Sequence, residues 1–119
     1  MQHKILIIDD DPRNIFALSA TLKAKGYACL TANSAQQGIA FLAQSAEISM
    51  VLIDMMMPDM DGYEAIPKIK AGYRLPVVAV TAQAMVGDRE KCLEAGADDY
   101  ISKPIDVDKL ISVIHTHLK

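Results

Sequence analysis

The sequence predicts an open, doubly wound α/β fold: five βα units in one domain spanning 1–119, with helices on both faces of a parallel sheet. Three observations predict it. Five short apolar runs, most of them rich in Ile, Val and Leu, lack the polar alternation of half-exposed strands. Helix-length segments separate them. Glycines stand where those helices should end. At about 24 residues per unit the 119-residue chain is too short for an eight-unit barrel, and short right-handed crossovers favour an open sheet.

The elements follow in order. Strands are expected at Lys4–Ile8, Tyr27–Thr31, Met50–Ile53, Val77–Val80 and, more weakly, Tyr100–Ser102. In the first helix Ile15, Leu18 and Leu22 recur at i, i+3, i+7, and Asp11-Pro12 reads as an N-cap followed by Pro at N1. Ser34 and Gln37 form a capping-box pattern ahead of the second helix. The third, Tyr63–Ala71, contains Pro67, which removes a backbone donor and should kink or delay it. The fourth, near Met85–Ala95, has a poor apolar stripe and includes Gly87, so it should be the least firmly packed. Val107, Leu110, Ile111, Ile114 and Leu118 give the last helix a full stripe. Gly26, Gly72 and Gly96 are expected as left-handed residues just past their helices.

Composition narrows the class. Apolar residues are 51% and charged residues 23%, which excludes disorder and collagen. No apolar run approaches the roughly 18 residues of a membrane span, and no charged-then-apolar leader precedes the first strand. With 12 basic and 15 acidic residues the net charge is -3, which argues against direct nucleic-acid binding. Cys29 and Cys92 lack metal-ligand spacing and read as reduced core thiols of a cytoplasmic protein.

The chemistry gathers at the carboxyl ends of the strands, where open α/β sheets bind ligands. Strand one ends in Asp9-Asp10-Asp11, strand three in Asp54, strand four in Thr81 and strand five in Lys103-Pro104. With strand order 2-1-3-4-5, Asp9/Asp10 and Asp54 stand on neighbouring strands about 4.8 Å apart. Thr81 is one strand further, and Lys103 can reach back along its flexible stem. Carboxylates so grouped repel and raise one another's pKa values. A hard divalent cation such as Mg²⁺, usually completed by a phosphate, makes sense of them. Lys103 adds a second positive point and Thr81 a hydroxyl. The pocket therefore suits a phosphoryl group on Asp54, the middle carboxylate.

Singly, these residues have blander readings. Asp9 and Asp10 fit solvated turn residues, and Asp59-Met60-Asp61-Gly62 is a turn into a helix, too short for a calcium loop. Met55-Met56-Met57 reads as loop packing. His115 and His117 do not share a helical face and read as cations at the negative end of the last helix. The combination at the strand ends is what resists the bland reading.

Four motifs carry a resemblance: Leu6-Ile-Ile-Asp-Asp-Asp11, Val51-Leu-Ile-Asp-Met-Met-Met-Pro-Asp-Met-Asp-Gly62, Val78-Ala-Val-Thr-Ala82 and Gly96-Ala-Asp-Asp-Tyr-Ile-Ser-Lys-Pro104. From Ile5 to Leu118 the chain resembles the receiver domain of two-component response regulators, with its flavodoxin-like sheet. The stretch Thr81–Lys103 is most similar to receivers of hybrid sensor histidine kinases. The resemblance implies that Asp54 accepts a phosphoryl group from a sensor histidine kinase or a histidine phosphotransfer domain. It implies that Asp10 and Asp54 bind Mg²⁺ directly, Asp9 through water, and the backbone carbonyl of Met56 completes the site. Lys103, Thr81 and Ala82 would contact the phosphoryl group. Thr81 and Tyr100 would form the switch, and the bond before Pro104 would be cis. The output would be the face of helix four, strand five and helix five, read by a downstream effector.

Two alternatives are weighed against this switch. A receiver fold kept only as a docking module would not need the full acidic set with Thr81 and Lys103. A haloacid-dehalogenase-type phosphohydrolase would share Asp9-x-Asp11. However, Pro12-Arg13 replaces the Gly-Thr expected next, and no cap domain fits in 119 residues. The chain ends directly after the last helix, so a stand-alone regulator and a piece of a hybrid kinase are both open readings.

Overall fold

The computed structural model describes residues 4–45, 47–82 and 87–118. Five strands and five helices alternate: β1 Lys4–Ile8, α1 Pro12–Ala24, β2 Ala28–Ala32, α2 Ala35–Gln44, β3 Ile48–Asp54, α3 Gly62–Gly72, β4 Val77–Thr81, α4 Asp88–Ala95, β5 Asp99–Ser102 and α5 Val107–His117. The strands form one parallel sheet in the order β2-β1-β3-β4-β5. This is the flavodoxin-like topology. Strand order reverses beside β1, so the crevice between the ends of β1 and β3 is the natural site.

Alternation along each strand divides the core in two. Leu6, Ile8, Val51, Ile53, Val77 and Ala79 face α2, α3 and α4, meeting Leu42, Ala65, Ile66, Ile69 and Cys92. Ile5, Ile7, Met50, Leu52, Val78, Val80 and Ile101 face α1 and α5, meeting Leu18, Leu22, Leu110 and Ile114. The four residues Ile5–Ile8 are essentially sealed from solvent. Each such side chain contributes about 1.5–3 kcal/mol relative to exposure. The β1 and β3 backbones that carry the acidic residues are thereby held rigidly.

Local chemistry sets the helix ends. Asp11 caps α1 by accepting the Arg13 amide at 2.9 Å, with Pro12 at the first position. Ser34 accepts the Gln37 amide at 3.1 Å, while the Gln37 side chain accepts from the Asn33 amide. Asp61 caps α3 through the Glu64 amide, so the Asp59–Gly62 stretch is indeed a turn into a helix. Asp59 takes the left-handed conformation there (φ 67°), which Asp tolerates better than most residues. Two glycines are fixed by close approach. A Cβ on Gly38 would lie 2.7 Å from Ile8 Cγ1, and one on Gly62 would lie 2.9 Å from Met55 Cα.

Several expectations need correcting. Gly26 and Gly96 are left-handed, but Gly72 is not. It is the last residue of α3, and the chain leaves through Tyr73 in an extended conformation that needs no reversal. Pro67 does not interrupt α3, which runs unbroken past it, with Pro67 itself on the exposed side. β2 is shifted by one residue to Ala28–Ala32, and β3 extends back to Ile48 through a register shift opposite Lys4/Ile5. The fourth helix begins at Asp88. The expected start at Met85, like the loop residue Ala84, lies outside the described residues.

Candidate functional site

The ends of β1, β3, β4 and β5 meet in one acidic pocket. Asp9 and Asp54 are buried, at 2% and 5% exposure, while Asp10 stands exposed at the mouth. One carboxylate oxygen from each of the three lies within 4.8 Å of the other two. Among the described residues no other trio of His, Cys, Asp or Glu side chains converges in this way.

Backbone geometry aims the carboxylates. Asp9 Oδ1 accepts the Asp11 amide at 2.9 Å, and Asp54 Oδ1 accepts the Met56 amide at 3.1 Å. These are the same two-residue turn made twice, a side-chain oxygen taking its own chain's amide two positions on. The Asp9 amide is held by Ala32 of β2, and the Met55 amide by Val80 of β4. Asp54 is thus tied on both sides of its strand end.

Lys103 completes the pocket. Its Nζ lies 3.3 Å from Asp54 Oδ2 and 3.6 Å from Asp9 Oδ2. Its amide donates to the Thr81 carbonyl at 2.7 Å, locking the end of β5 to that of β4. The sequence offers no visible structural partner for this ammonium. The structure supplies two, because the chain after β5 turns Lys103 back over the sheet end. The Lys103–Pro104 peptide is cis.

The charges do not balance. Three carboxylates face one ammonium. Burial pushes the Asp9 carboxyl above its ordinary value, and the nearby Asp54 charge adds to this, against the Asp11 amide and the Lys103 ammonium. A further cation would relieve this strain. An all-oxygen donor set of this charge, open to water at Asp10, fits a hard divalent ion.

Thr81 is buried at the end of β4, two strands from Asp9 and one from Asp54. Ala82 follows it at the surface. Tyr100 pairs in register with Ala79 and packs half-buried against the α2–α4 side of the core. It therefore shares a sheet face with Thr81 and sits beneath α4 rather than in the acidic pocket. In the methionine triplet Met55 and Met57 are buried, as loop packing predicts, whereas Met56 is exposed. What sequence reasoning missed is the Met56 amide on Asp54. The signal was available, since an Asp closing a strand before a loop favours this turn. His117 lies in the last turn of α5, as expected, and makes a further contact. Its ring is 3.1 Å from Asp99 at the start of β5, so it clasps α5 to the sheet.

Comparison with known proteins agrees with this fold. The family model described as the response regulator receiver domain matches residues 5–115. The chain is 43% identical over 107 residues to the sensor histidine kinase RcsC of Salmonella typhimurium, covering 89% of this chain and 11% of that protein. It is 35% identical to the heme response regulator HssR of Staphylococcus haemolyticus, over 98% of this chain and 51% of that one. The chain thus spans about a tenth to a half of these relatives. A two-component response regulator from Clostridium difficile superposes with a TM-score of 0.92 at 27% identity, covering 98% of this chain and 96% of that one. A CheY-like receiver domain protein from Methanospirillum hungatei gives 0.87 at 31%, covering 98% and 93%. With the family model spanning nearly all of it, this chain belongs to the response regulator receiver domains, the phosphorylation-dependent signalling switches of two-component systems.

Proposed function

We propose that Asp54 is the phosphoacceptor of this domain and that the surrounding residues catalyse its phosphorylation without acting on a separate substrate. The observation that carries the reading is a buried Asp54 carboxylate with Lys103 Nζ at 3.3 Å and two further carboxylates beside it. An Asp54 oxygen attacks the phosphorus of a phosphohistidine on a kinase or phosphotransfer domain. A P–O bond forms, the P–N bond breaks, and the imidazole nitrogen takes the electron pair and then a proton. Lys103 exchanges one carboxylate contact for a phosphoryl oxygen, and Thr81 and Ala82 supply donors from the end of β4.

Asp10 and Asp54 would hold Mg²⁺ directly, with the Met56 carbonyl, and Asp9 would act through water. Asp10 stands exposed at the mouth of the pocket, which supports its place as a direct ligand. When bound, the ion would neutralise charge on the transferred group. A phosphohydrolase of the haloacid-dehalogenase type would need Asp9 as nucleophile, and Pro12-Arg13 stands where that reading expects Gly-Thr.

The added group brings up to about two negative charges. Thr81 moving toward it would free space at the end of β4, and Tyr100 is a large ring on that same sheet face. The changed surface is that of α4, β5 and α5, offered to an effector in the cytoplasm. Among the described residues no helix is long and apolar enough to cross a membrane. Incubation with acetyl phosphate and Mg²⁺ should add one base-labile phosphoryl group by intact mass. Chelation should abolish it, and unchanged labelling of Asp54→Asn would overturn the assignment.

A further inference from the structure

The two acidic strands are held differently at their carboxyl ends. β3 is central, and the amide that follows Asp54 is bonded to Val80 of β4. β1 carries Asp9 and Asp10, and the Asp9 amide bonds instead to the Ala32 carbonyl of β2 at 3.1 Å. β2 is an edge strand of the sheet, so no neighbouring strand braces its outer side. Whatever fixes the exit of β2 therefore fixes the end of β1.

The start of α2 supplies that brace. In the usual capping box the glutamine side chain accepts the amide of the cap residue itself. Here it reaches one residue further back. Gln37 Oε1 accepts the Asn33 amide at 2.8 Å, while Ser34 Oγ accepts the Gln37 amide at 3.1 Å. The Asn33 amide and the Ala32 carbonyl belong to one planar peptide unit and point in opposite directions. That unit is gripped at both ends, by Gln37 on one side and by the Asp9 amide on the other. Bonds joined through one peptide polarise and strengthen each other. The same turn of α2 also presses on β1 directly: a Cβ on Gly38 would lie 2.7 Å from Ile8 Cγ1, one residue before Asp9. Beyond the gripped peptide, Asn33 and Asp10 line one hollow between α1 and the exit of β2.

We propose that Gln37 is a positioning residue for the acidic pocket: through the Ala32–Asn33 peptide it fixes Asp9, and with it Asp10, relative to Asp54. The metal-binding consequence rests on the phosphoacceptor reading above; the positioning does not. Gln37 acts from α2 and through the backbone. Three carboxylates serve one cation only while their oxygens keep their spacing, here within 4.8 Å, and Mg²⁺ demands near-ideal octahedral geometry. Loosening one peptide of the edge strand lets Asp9 and Asp10 drift while Asp54 stays, which weakens the site without unfolding the domain.

Amide exchange on the full metal-free chain, followed residue by residue by NMR, tests this with two variants. Gln37→Leu keeps the bulk and removes the acceptor. It should accelerate exchange of the Asp9 amide by about three-fold or more, with the Met55 amide within about two-fold of wild type. Gln37→Glu keeps an acceptor oxygen and should hold the Asp9 amide within about two-fold of wild type. A general loss of stability would move Asp9 and Met55 together. Equal acceleration of both in Gln37→Leu, an unchanged Asp9, or no rescue by glutamate would overturn the assignment. A calorimetric arm adds Mg²⁺. Affinity should fall by about three-fold or more in Gln37→Leu, and an affinity equal to wild type would overturn the role in the pocket. A wild type that takes up no Mg²⁺ counts against the phosphoacceptor reading, and the exchange pair still decides the positioning.

Discussion

Replacing Lys103 with Met removes the one positive charge that, among the described residues, pairs with Asp9 and Asp54, while keeping most of the stem. At 3.3 and 3.6 Å the two attractions are each about 5 kcal/mol at an effective dielectric constant of about 20. Lost hydration of all three groups offsets most of that. Removing one partner of a buried pair typically costs about 3–5 kcal/mol. The Lys103 side chain is 21% exposed, which places the loss lower, at about 2–3 kcal/mol. This exceeds the roughly 1 kcal/mol expected for a lysine without structural partners. The loss is pH-dependent. Without the ammonium the folded-state pKa of Asp9 rises further, so the folded state binds a proton that the unfolded chain releases. Stability of the variant should therefore recover as pH falls toward the ordinary carboxylate range. The chain has no Trp, so urea unfolding is best followed by far-UV circular dichroism. With m near 1–3 kcal/mol/M the midpoint should drop by about 1 M or more at about pH 8. A loss below about 1 kcal/mol, or one that stays the same as pH falls into the ordinary carboxylate range, would refute the reasoning.

Three further outcomes follow from the same geometry. In the wild type, the raised folded-state pKa of Asp9 destabilises the fold above that value. Stability should fall as pH rises from the ordinary carboxylate range through it, and saturating Mg²⁺ should flatten that slope in urea titrations. Asp10→Ala should weaken Mg²⁺ binding by about ten-fold or more by calorimetry, with the metal-free fold equal or slightly more stable because repulsion is relieved; unchanged affinity would remove Asp10 from the ligand set. Gly62→Ala drives a methyl against the Met55 backbone and should cost about 1–3 kcal/mol and slow Asp54 phosphorylation, since Met55 adjoins it.

The parts legible in the sequence were those that depend on the backbone. Apolar runs such as Lys4–Ile8 and Val77–Val80 mark the strands because a parallel strand buried on both faces needs continuous apolar side chains. The pocket was legible because Asp9, Asp54 and Thr81 end or follow strands whose order brings them together. What depends on the reach of side chains was not. Lys103 meets Asp9 and Asp54 only through its long stem, and the Lys70–Asp98 ion pair links residues 28 apart. The buried face of α4 was hidden for a different reason. Periodicity finds apolar faces, and the face buried there carries Asp88 and Cys92. Gly72 shows that a glycine after a lysine-rich turn marks a helix end without specifying left-handed geometry.

The central claim is that one carboxylate, Asp54, carries the phosphoryl group. Borohydride reduction after acetyl phosphate and Mg²⁺ treatment converts an aspartyl phosphate to homoserine, which peptide sequencing by mass spectrometry locates by residue. The predicted result is homoserine at position 54 alone, absent when Mg²⁺ is chelated. Homoserine at Asp9 or Asp10, or label persisting in Asp54→Asn at the wild-type rate, would contradict the account.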